Sequence, residues 1–177
     1  MVVRFQTKHE TKMKKLIFVR HGKAEEPSPL LPDFDRSLTL KGKNISRMVA
    51  ARLKEKEKNP GVFISSPAFR ALETALIFAM EYGSDPDEII LRSNLYFKVN
   101  LKSLAEILIS VSDEEDTVIM FGHNPAFTEI PDRLSKGGVD FMPKSGVVCL
   151  SFKAKSWSEV IHEKGKHEYT LKPEKTI

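Results

Sequence analysis

Four residues of this 177-residue chain have the types and positions to do chemistry on an anion: Arg20, His21, Arg70 and His123. A guanidinium keeps its charge at any working pH and offers paired donors to oxyanions. An imidazole is largely unprotonated near neutral pH and can act as a nucleophile. Arg20 and His21 end the apolar run Leu16-Ile17-Phe18-Val19 and are followed by Gly22. His123 ends Val118-Ile119-Met120-Phe121-Gly122 and is followed by Asn124-Pro125. Arg70 follows Ile64-Ser65-Ser66-Pro67-Ala68-Phe69. Singly, each residue has a plainer reading: a histidine packed at a strand end, or an exposed helical arginine. Jointly, three strand ends deliver Arg, His or both, and parallel strands put their C-terminal ends on one side of a sheet.

The elements that must do this positioning follow from the hydrophobic pattern. Apolar runs at 15–20, 61–65, 89–92, 117–122 and 147–152 read as strands, several apolar enough to be buried on both faces. Between them lie helical stretches. Thr39 is a plausible N-cap for a helix whose apolar face is Ile45, Met48, Val49, Arg52 and Leu53. Ser66-Pro67 reads as cap and first turn of a second helix, with Ala68, Ala71, Leu72, Ala75, Leu76 and Ala79 as its buried stripe. A third helix is expected from about Leu101 to Val111, and a fourth from Asn124-Pro125 toward Leu134. Val160-Ile161 and Tyr169-Thr170-Leu171 are expected to add edge strands or a hairpin. Strand alternating with helix predicts an α/β class: a three-layer α/β/α sandwich with a mostly parallel central sheet. Residues 1–13 read as a polar tail, with Met13 an alternative start to Met1, and 14–177 as a single catalytic domain. Glu25 to Asp35, with prolines at 27, 29 and 32, reads as a long loop beside Arg20-His21, where loops are often functional.

Composition narrows the alternatives. Hydrophobic residues make up 41% and charged residues 29%, as in ordinary globular domains. No apolar run is long enough to span a bilayer, and the basic N-terminus lacks the apolar centre of a secretory signal. Cys149, the one cysteine, sits in Val147-Val148-Cys149-Leu150, so it reads as a buried small hydrophobe. No disulfide can form within the chain, which fits a reducing, cytoplasmic setting. There is no HExxH or CxxC spacing, so neither a metal nor another cofactor is expected. The net charge of +4 is concentrated in the N-terminal third. There the lysines of Lys54-Glu55-Lys56-Glu57-Lys58 alternate with glutamates and no aromatics interleave, so a solvated helix face is expected rather than a nucleic-acid surface.

The motifs Arg20-His21-Gly22, Asp35-Arg36-Ser37-Leu38-Thr39 with Gly42, Ser65-Ser66-Pro67 with Arg70 and Thr74, and Gly122-His123-Asn124-Pro125 occur in this order over residues 14–152. In them the chain resembles the histidine phosphatase superfamily, with its phosphoglycerate-mutase-like fold, and within it the small SixA-type phosphohistidine phosphatases. The resemblance implies that His21 is the nucleophile and carries a phosphoryl group as phosphohistidine. It implies that Arg20 and Arg70 bind the non-bridging oxygens and that His123 donates a further hydrogen bond. Gly22 and the backbone near Asn124 would complete the substrate site. The expected activity is metal-independent dephosphorylation of phosphohistidine on a protein. A phosphatase of small phosphorylated metabolites and a non-catalytic phosphate- or phosphoprotein-binding module are the alternatives.

One departure bears on the leaving group. Mutases and many acid phosphatases of this superfamily carry a carboxyl that protonates the leaving oxygen. Here Leu91-Arg92-Ser93-Asn94-Leu95-Tyr96-Phe97-Lys98-Val99-Asn100 holds none, and Asn124 rather than an acid follows His123. Asp33, Asp35 and Glu129 are the remaining candidates, with Asp35 expected to pair locally with Arg36 or the backbone. An alkoxide needs a proton to leave, whereas a protonated imidazole leaves readily. The missing acid therefore favours a phosphohistidine or another activated phosphate.

Overall fold

The strands alternate between two cores, and this alternation builds the three layers. In the computed structural model, which describes residues 12–97 and 99–174, six strands form one sheet in the order β3-β2-β4-β1-β5-β6. They are β1 (Lys14–Arg20), β2 (Val62–Ser65), β3 (Ile90–Leu91), β4 (Thr117–Gly122), β5 (Val147–Phe152) and β6 (Lys166–Leu171). Ile17 and Val19 of β1, with Phe63, Ile119 and Phe121, pack on Val49, Ala50, Leu53, Ala75 and Phe78. These belong to α1 (Leu40–Lys56) and α2 (Phe69–Tyr82). Leu16 and Phe18, with Ile64, Val118 and Met120, face the opposite core. That core is covered by α3 (Asn94–Phe97), α4 (Leu101–Ile109), α5 (Ala126–Leu134) and α6 (Trp157–Val160). Side chains two apart share a face and neighbours take opposite faces, so runs buried on both sides are nearly all apolar. Most of the polar tail expected over 1–13 lies outside the described residues.

β1 to β4 are mutually parallel through β3-β2, β2-β4 and β4-β1. β5 and β6 run antiparallel to their neighbours. The sheet is thus mixed, with its parallel part where the candidate residues lie. Three local expectations change. Val160 ends the short helix α6 and only 166–171 adds an edge strand, because Trp157 and Val160 turn one helical face into the core. β3 shrinks to two residues. Helix α2 starts at Phe69 behind Ala68, with no side-chain cap: the Ser66 hydroxyl accepts the Ala68 amide, ahead of the helix, and meets His123. Thr39 does cap α1, accepting the Gly42 amide at 3.0 Å. Among the described residues, no helix is long and apolar enough to cross a membrane.

Gly42 presses α1 onto the turn that follows the candidate nucleophile. A Cβ there would lie 2.1 Å from the Lys23 carbonyl oxygen, two residues beyond His21. Both the Thr39 amide and its hydroxyl also donate to that carbonyl, at 2.9 and 3.2 Å. Gly42→Ala should therefore force α1 outward. We expect a loss of about 1–3 kcal/mol from overpacking, only partly offset by alanine's better helix propensity, and a lower kcat. Chemical denaturation and steady-state kinetics on the same preparation check both.

Candidate active site

Arg20 and His21 leave the C-terminal end of β1, and Gly122 and His123 leave the end of β4 beside it. Arg20 is opposite Gly122 in register, and the His21 amide donates to the Gly122 carbonyl at 3.0 Å. On the other flank of β4, the Ser66 amide donates to the Phe121 carbonyl at 2.9 Å. Three parallel strands thus bring Arg20, His21, Ser66 and His123 to one edge. The His21 and His123 rings lie 5.0 Å apart between centroids.

His21 is buried and oriented by its own chain. Its Nδ1 is 2.7 Å from the Gly22 carbonyl oxygen. A carbonyl only accepts, so Nδ1 carries the proton and the Nε2 lone pair is free. Gly22 is required sterically: a Cβ would lie 2.7 Å from Ser46 Oγ and 3.2 Å from the Gly42 carbonyl. The Gly22 amide donates to Thr74 Oγ1 at 3.0 Å. The Ser145 amide donates to the carbonyls of Arg20 and His21, each at 3.1 Å, tying the β5 approach to the same turn. Burial pushes the His21 pKa down to about 4, and the charges of Arg70, Arg20 and Lys144 act in the same direction against the Gly22 hydrogen bond. The nucleophile candidate is therefore neutral well below neutral pH.

Arg20 donates from Nη1 to the Met142 carbonyl at 3.0 Å, and its guanidinium lies 5.5 Å from the Phe141 ring centre. Its buried Nε has no hydrogen-bond partner among the described residues. Arg70 is 7% exposed, which overturns the exposed-helix reading. It donates from Nη1 to the Asp33 carbonyl at 2.5 Å and from Nη2 to Asp33 Oδ2 at 2.9 Å. His123 meets Ser66 Oγ at 2.8 Å through Nε2, while its buried Nδ1 has no partner among the described residues. Burial pushes its pKa down to about 3, followed by the influence of His21 and Arg70. Two buried nitrogens, Arg20 Nε and His123 Nδ1, thus lack hydrogen-bond partners among the described residues, on residues that leave the same sheet edge as His21. Buried donors are normally paired, so an anion with several acceptor oxygens suits this arrangement. Asn124 braces the loop rather than pointing at His21: Nδ2 donates to the Met142 carbonyl at 3.2 Å, and Oδ1 accepts from Thr128 at 3.1 Å.

The long loop after β1 folds back over Arg70. Arg36 staples it by donating Nε and Nη2 to the Glu25 carbonyl, at 2.8 and 2.6 Å, and Nη1 to Asp33 Oδ1 at 2.7 Å. Arg36 therefore pairs with Asp33, not with the expected Asp35. Tyr96 donates to Asp33 Oδ2 at 3.0 Å and sets its ring 5.5 Å from that of His123. Burial alone would raise the Asp33 pKa, but hydrogen bonds from Arg36, Arg70 and Tyr96, with the Arg70 charge, hold it down to about 2. Asp33 is thus a carboxylate at any working pH and no proton donor. Glu129 is exposed in the first turn of α5.

The residues that sequence reasoning missed are Tyr96, Met142 and the bonding partner of Ser66. A tyrosine in the stretch searched for an acid was the available signal for the first. Nothing in the local pattern marks a carbonyl such as that of Met142. Cys149 is buried and its pKa is pushed up to about 12 by burial, so it is no thiolate. A second cleft of about 620 Å3, between Met13, Ser151 and lysines 136, 153, 164 and 166, lies at the N-terminal end of β1. Its one hydroxyl, that of Ser151, donates to Glu168 Oε1 at 2.5 Å.

Comparison with known proteins agrees with this fold. The sequence model of the histidine phosphatase superfamily (branch 1) matches residues 16–95. An uncharacterized protein of Picosynechococcus sp. is 37% identical over 140 residues, covering 76% of this chain and 83% of that protein. A SixA-type protein of Agrobacterium tumefaciens superposes with a TM-score of 0.74 at 20% identity, over 90% of this chain and 98% of that one. The protein histidine phosphatase SixA complexed with tungstate gives 0.76 at 19% identity, over 90% and 97%. The motifs that suggested the family are those that meet at this sheet edge: the chain belongs to the histidine phosphatase superfamily.

Proposed function

We propose that this protein is a phosphatase that transfers a phosphoryl group from phosphohistidine on a partner protein to its own His21 and then to water. The observation that carries the reading is the state of His21. Its ring is neutral, its Nδ1 proton is committed to Gly22, and its Nε2 lone pair is free within the influence of the Arg20 and Arg70 charges. In the first step Nε2 attacks phosphorus while the bond from phosphorus to the leaving imidazole breaks. The leaving ring, protonated on its other nitrogen, departs neutral. Water then attacks the phosphorus of phospho-His21, releasing inorganic phosphate and restoring the lone pair. Arg20 and Arg70 hold the non-bridging oxygens, which supplies the positioning and charge on which phosphoryl transfer mainly depends.

The choice of leaving group rests on Asp33. It is the carboxylate that touches Arg70, and its three donors keep it ionised, so it cannot protonate an alkoxide. Aromatic rings flank the site on two sides: Tyr96, packed on Phe34 and Phe97, meets His123, and Phe141 lies against Arg20, with Phe97 and Phe141 largely exposed. A planar ring presented from a protein surface suits such flanks better than a polyol does.

The test is a parallel assay of a phosphohistidine-labelled protein, an aryl phosphate and an alkyl phosphate ester. The first two should turn over, and the alkyl ester should be slower by roughly 10²–10⁴-fold, the usual worth of a general acid. Equal rates on the alkyl ester favour a metabolite phosphatase. Phosphate binding without turnover of any substrate favours a binding module. The pH profile is a separate check. A nucleophile with a lowered pKa is active above that pKa and lost below it. After substrate ionisation is divided out, kcat/KM should stay level from neutral pH through 6.5 and fall only near pH 4. A fall centred at 6.5 would mean His21 is not held as described.

A further inference from the structure

Ser66 is fully buried just beyond the end of β2, and its hydroxyl has two neighbours. It accepts the Ala68 amide at 3.3 Å and lies 2.8 Å from His123 Nε2. The hydroxyl proton and the His123 proton can be arranged in two ways. If Nε2–H donates to Ser66, the serine proton has no acceptor among the described residues, and His123 Nδ1 is a bare acceptor without a donor. If Ser66 donates to Nε2, the serine is satisfied and the ring proton sits on Nδ1. The first arrangement strands two buried polar groups and the second strands one, the Nδ1–H. Stranded buried groups are costly, so the second arrangement prevails.

We infer that Ser66 is a positioning residue that fixes His123 as its neutral Nδ1–H tautomer, holding that N–H ready as a donor for the transferring phosphoryl group. The use of the donor rests on the phosphatase reading above; the tautomer does not. The structure also explains why a fixed tautomer matters. His123 is half-buried beside His21, with its pKa pushed far below neutral by burial and by His21 and Arg70, so it serves as a neutral rather than a charged donor. A neutral ring gives up one N–H only, and its placement decides whether the ring donates or repels an anion. Histidine rings free in water favour the Nε2–H form, the wrong one here. The serine hydroxyl reverses that preference. The Ala68 amide takes one Oγ lone pair, and the hydroxyl proton, with no other acceptor among the described residues, is directed to Nε2.

This assignment absorbs an anomaly of the fold. Ser66-Pro67 has the sequence of a helix cap, yet helix α2 begins at Phe69 with no side-chain cap. The Ser66 hydroxyl accepts the Ala68 amide, which lies ahead of the helix, and gives its proton to His123, so it caps no α2 amide.

The test is ring-nitrogen NMR on protein labelled with ¹⁵N-histidine, alongside kinetics, for the parent, Ser66→Ala and Ser66→Thr. His123→Gln assigns the resonances. The parent should show His123 protonated on Nδ1 near neutral pH. Ser66→Ala should move the ring toward Nε2–H and lower kcat about 10–100-fold with little change in KM, the scale on which outer partners of functional histidines act. Ser66→Thr should restore both. A parent spectrum with the proton on Nε2 overturns the inference, even if Ser66→Ala does not fold. So does an alanine variant that keeps the Nδ1–H signature, whatever its rate. A parent with the Nδ1–H signature but no phosphatase activity would instead overturn the phosphatase reading and leave the tautomer assignment standing.

Discussion

His21→Ala should be the most damaging single change: a folded protein with no detectable turnover and no phosphoenzyme. Loss of a covalent nucleophile costs on the order of 10⁶-fold in a serine protease, far more than loss of any one donor. Here nothing beside it can substitute. His123 is the neighbouring imidazole, but its Nε2 is engaged by Ser66, so its lone pair is not free to attack. Cys149 is a buried thiol in the core beneath the sheet face. Rapid quenching of the parent with labelled substrate should trap an acid-labile, base-stable phosphoenzyme that the variant lacks. Folding should survive, since the His21 ring forms its hydrogen bond only to the adjacent Gly22 carbonyl. The variant should also report on the pKa. The unfolded His21 takes up a proton below about 6.5 and the folded one only below about 4. The parent therefore loses up to about 1.4 kcal/mol of stability per pH unit between those values, and His21→Ala lacks this loss. Its stability relative to the parent should improve as the pH falls from 6.5 to 4. Parent-like turnover by His21→Ala, or a phosphoenzyme that still forms, would remove His21 from the nucleophile's place.

The sequence showed the strand ends because burial and chemistry change over within three residues there. Leu16 to Val19 must be apolar to lie in the sheet, and Arg20-His21-Gly22 cannot continue that pattern. The same break at Gly122-His123 and a helix-borne Arg70 were enough to place these residues on one edge, given parallel strands. The direction of β5 was hidden, because a strand buried on both faces has the same composition either way. Asp33 was ambiguous for a different reason. Whether a carboxyl is acid or anion depends on its partners, and two of these, Arg70 and Tyr96, lie 37 and 63 residues away in sequence. Ser66 was misread as a cap because its sequence context satisfies that pattern. Its hydroxyl accepts the Ala68 amide, ahead of the helix, and faces His123.

Arg70→Ala should cost more than an ordinary lost donor, and the reason lies in Asp33. The guanidinium gives one hydrogen from each Nη to Asp33, which leaves three of its five N–H groups for substrate oxygens. Truncation removes those donors, a loss of roughly 10²–10³-fold in rate. It also releases a carboxylate from its Arg70 partner at the place where a dianionic phosphoryl group must bind, so repulsion adds to the deficit. Arg70→Lys keeps the charge but not the fork, and should recover only part of the rate. The two contributions separate in a double-mutant cycle. Asp33→Ala alone should slow the enzyme by loosening Arg70 and the Arg36 staple. Combined with Arg70→Ala, it should partly rescue the arginine variant by removing the exposed anion. Stability should change little, about 1 kcal/mol or less for the ion pair, because the Asp33 side chain is 53% exposed and water screens it. Circular dichroism and denaturation would show that the fold is kept while the phosphoryl site fails. An Arg70→Ala enzyme that works at the parent rate would sink the arginine's role in this site. Strict additivity in the cycle would instead spare Arg70 and show that Asp33 acts independently of it, against the geometry that joins them.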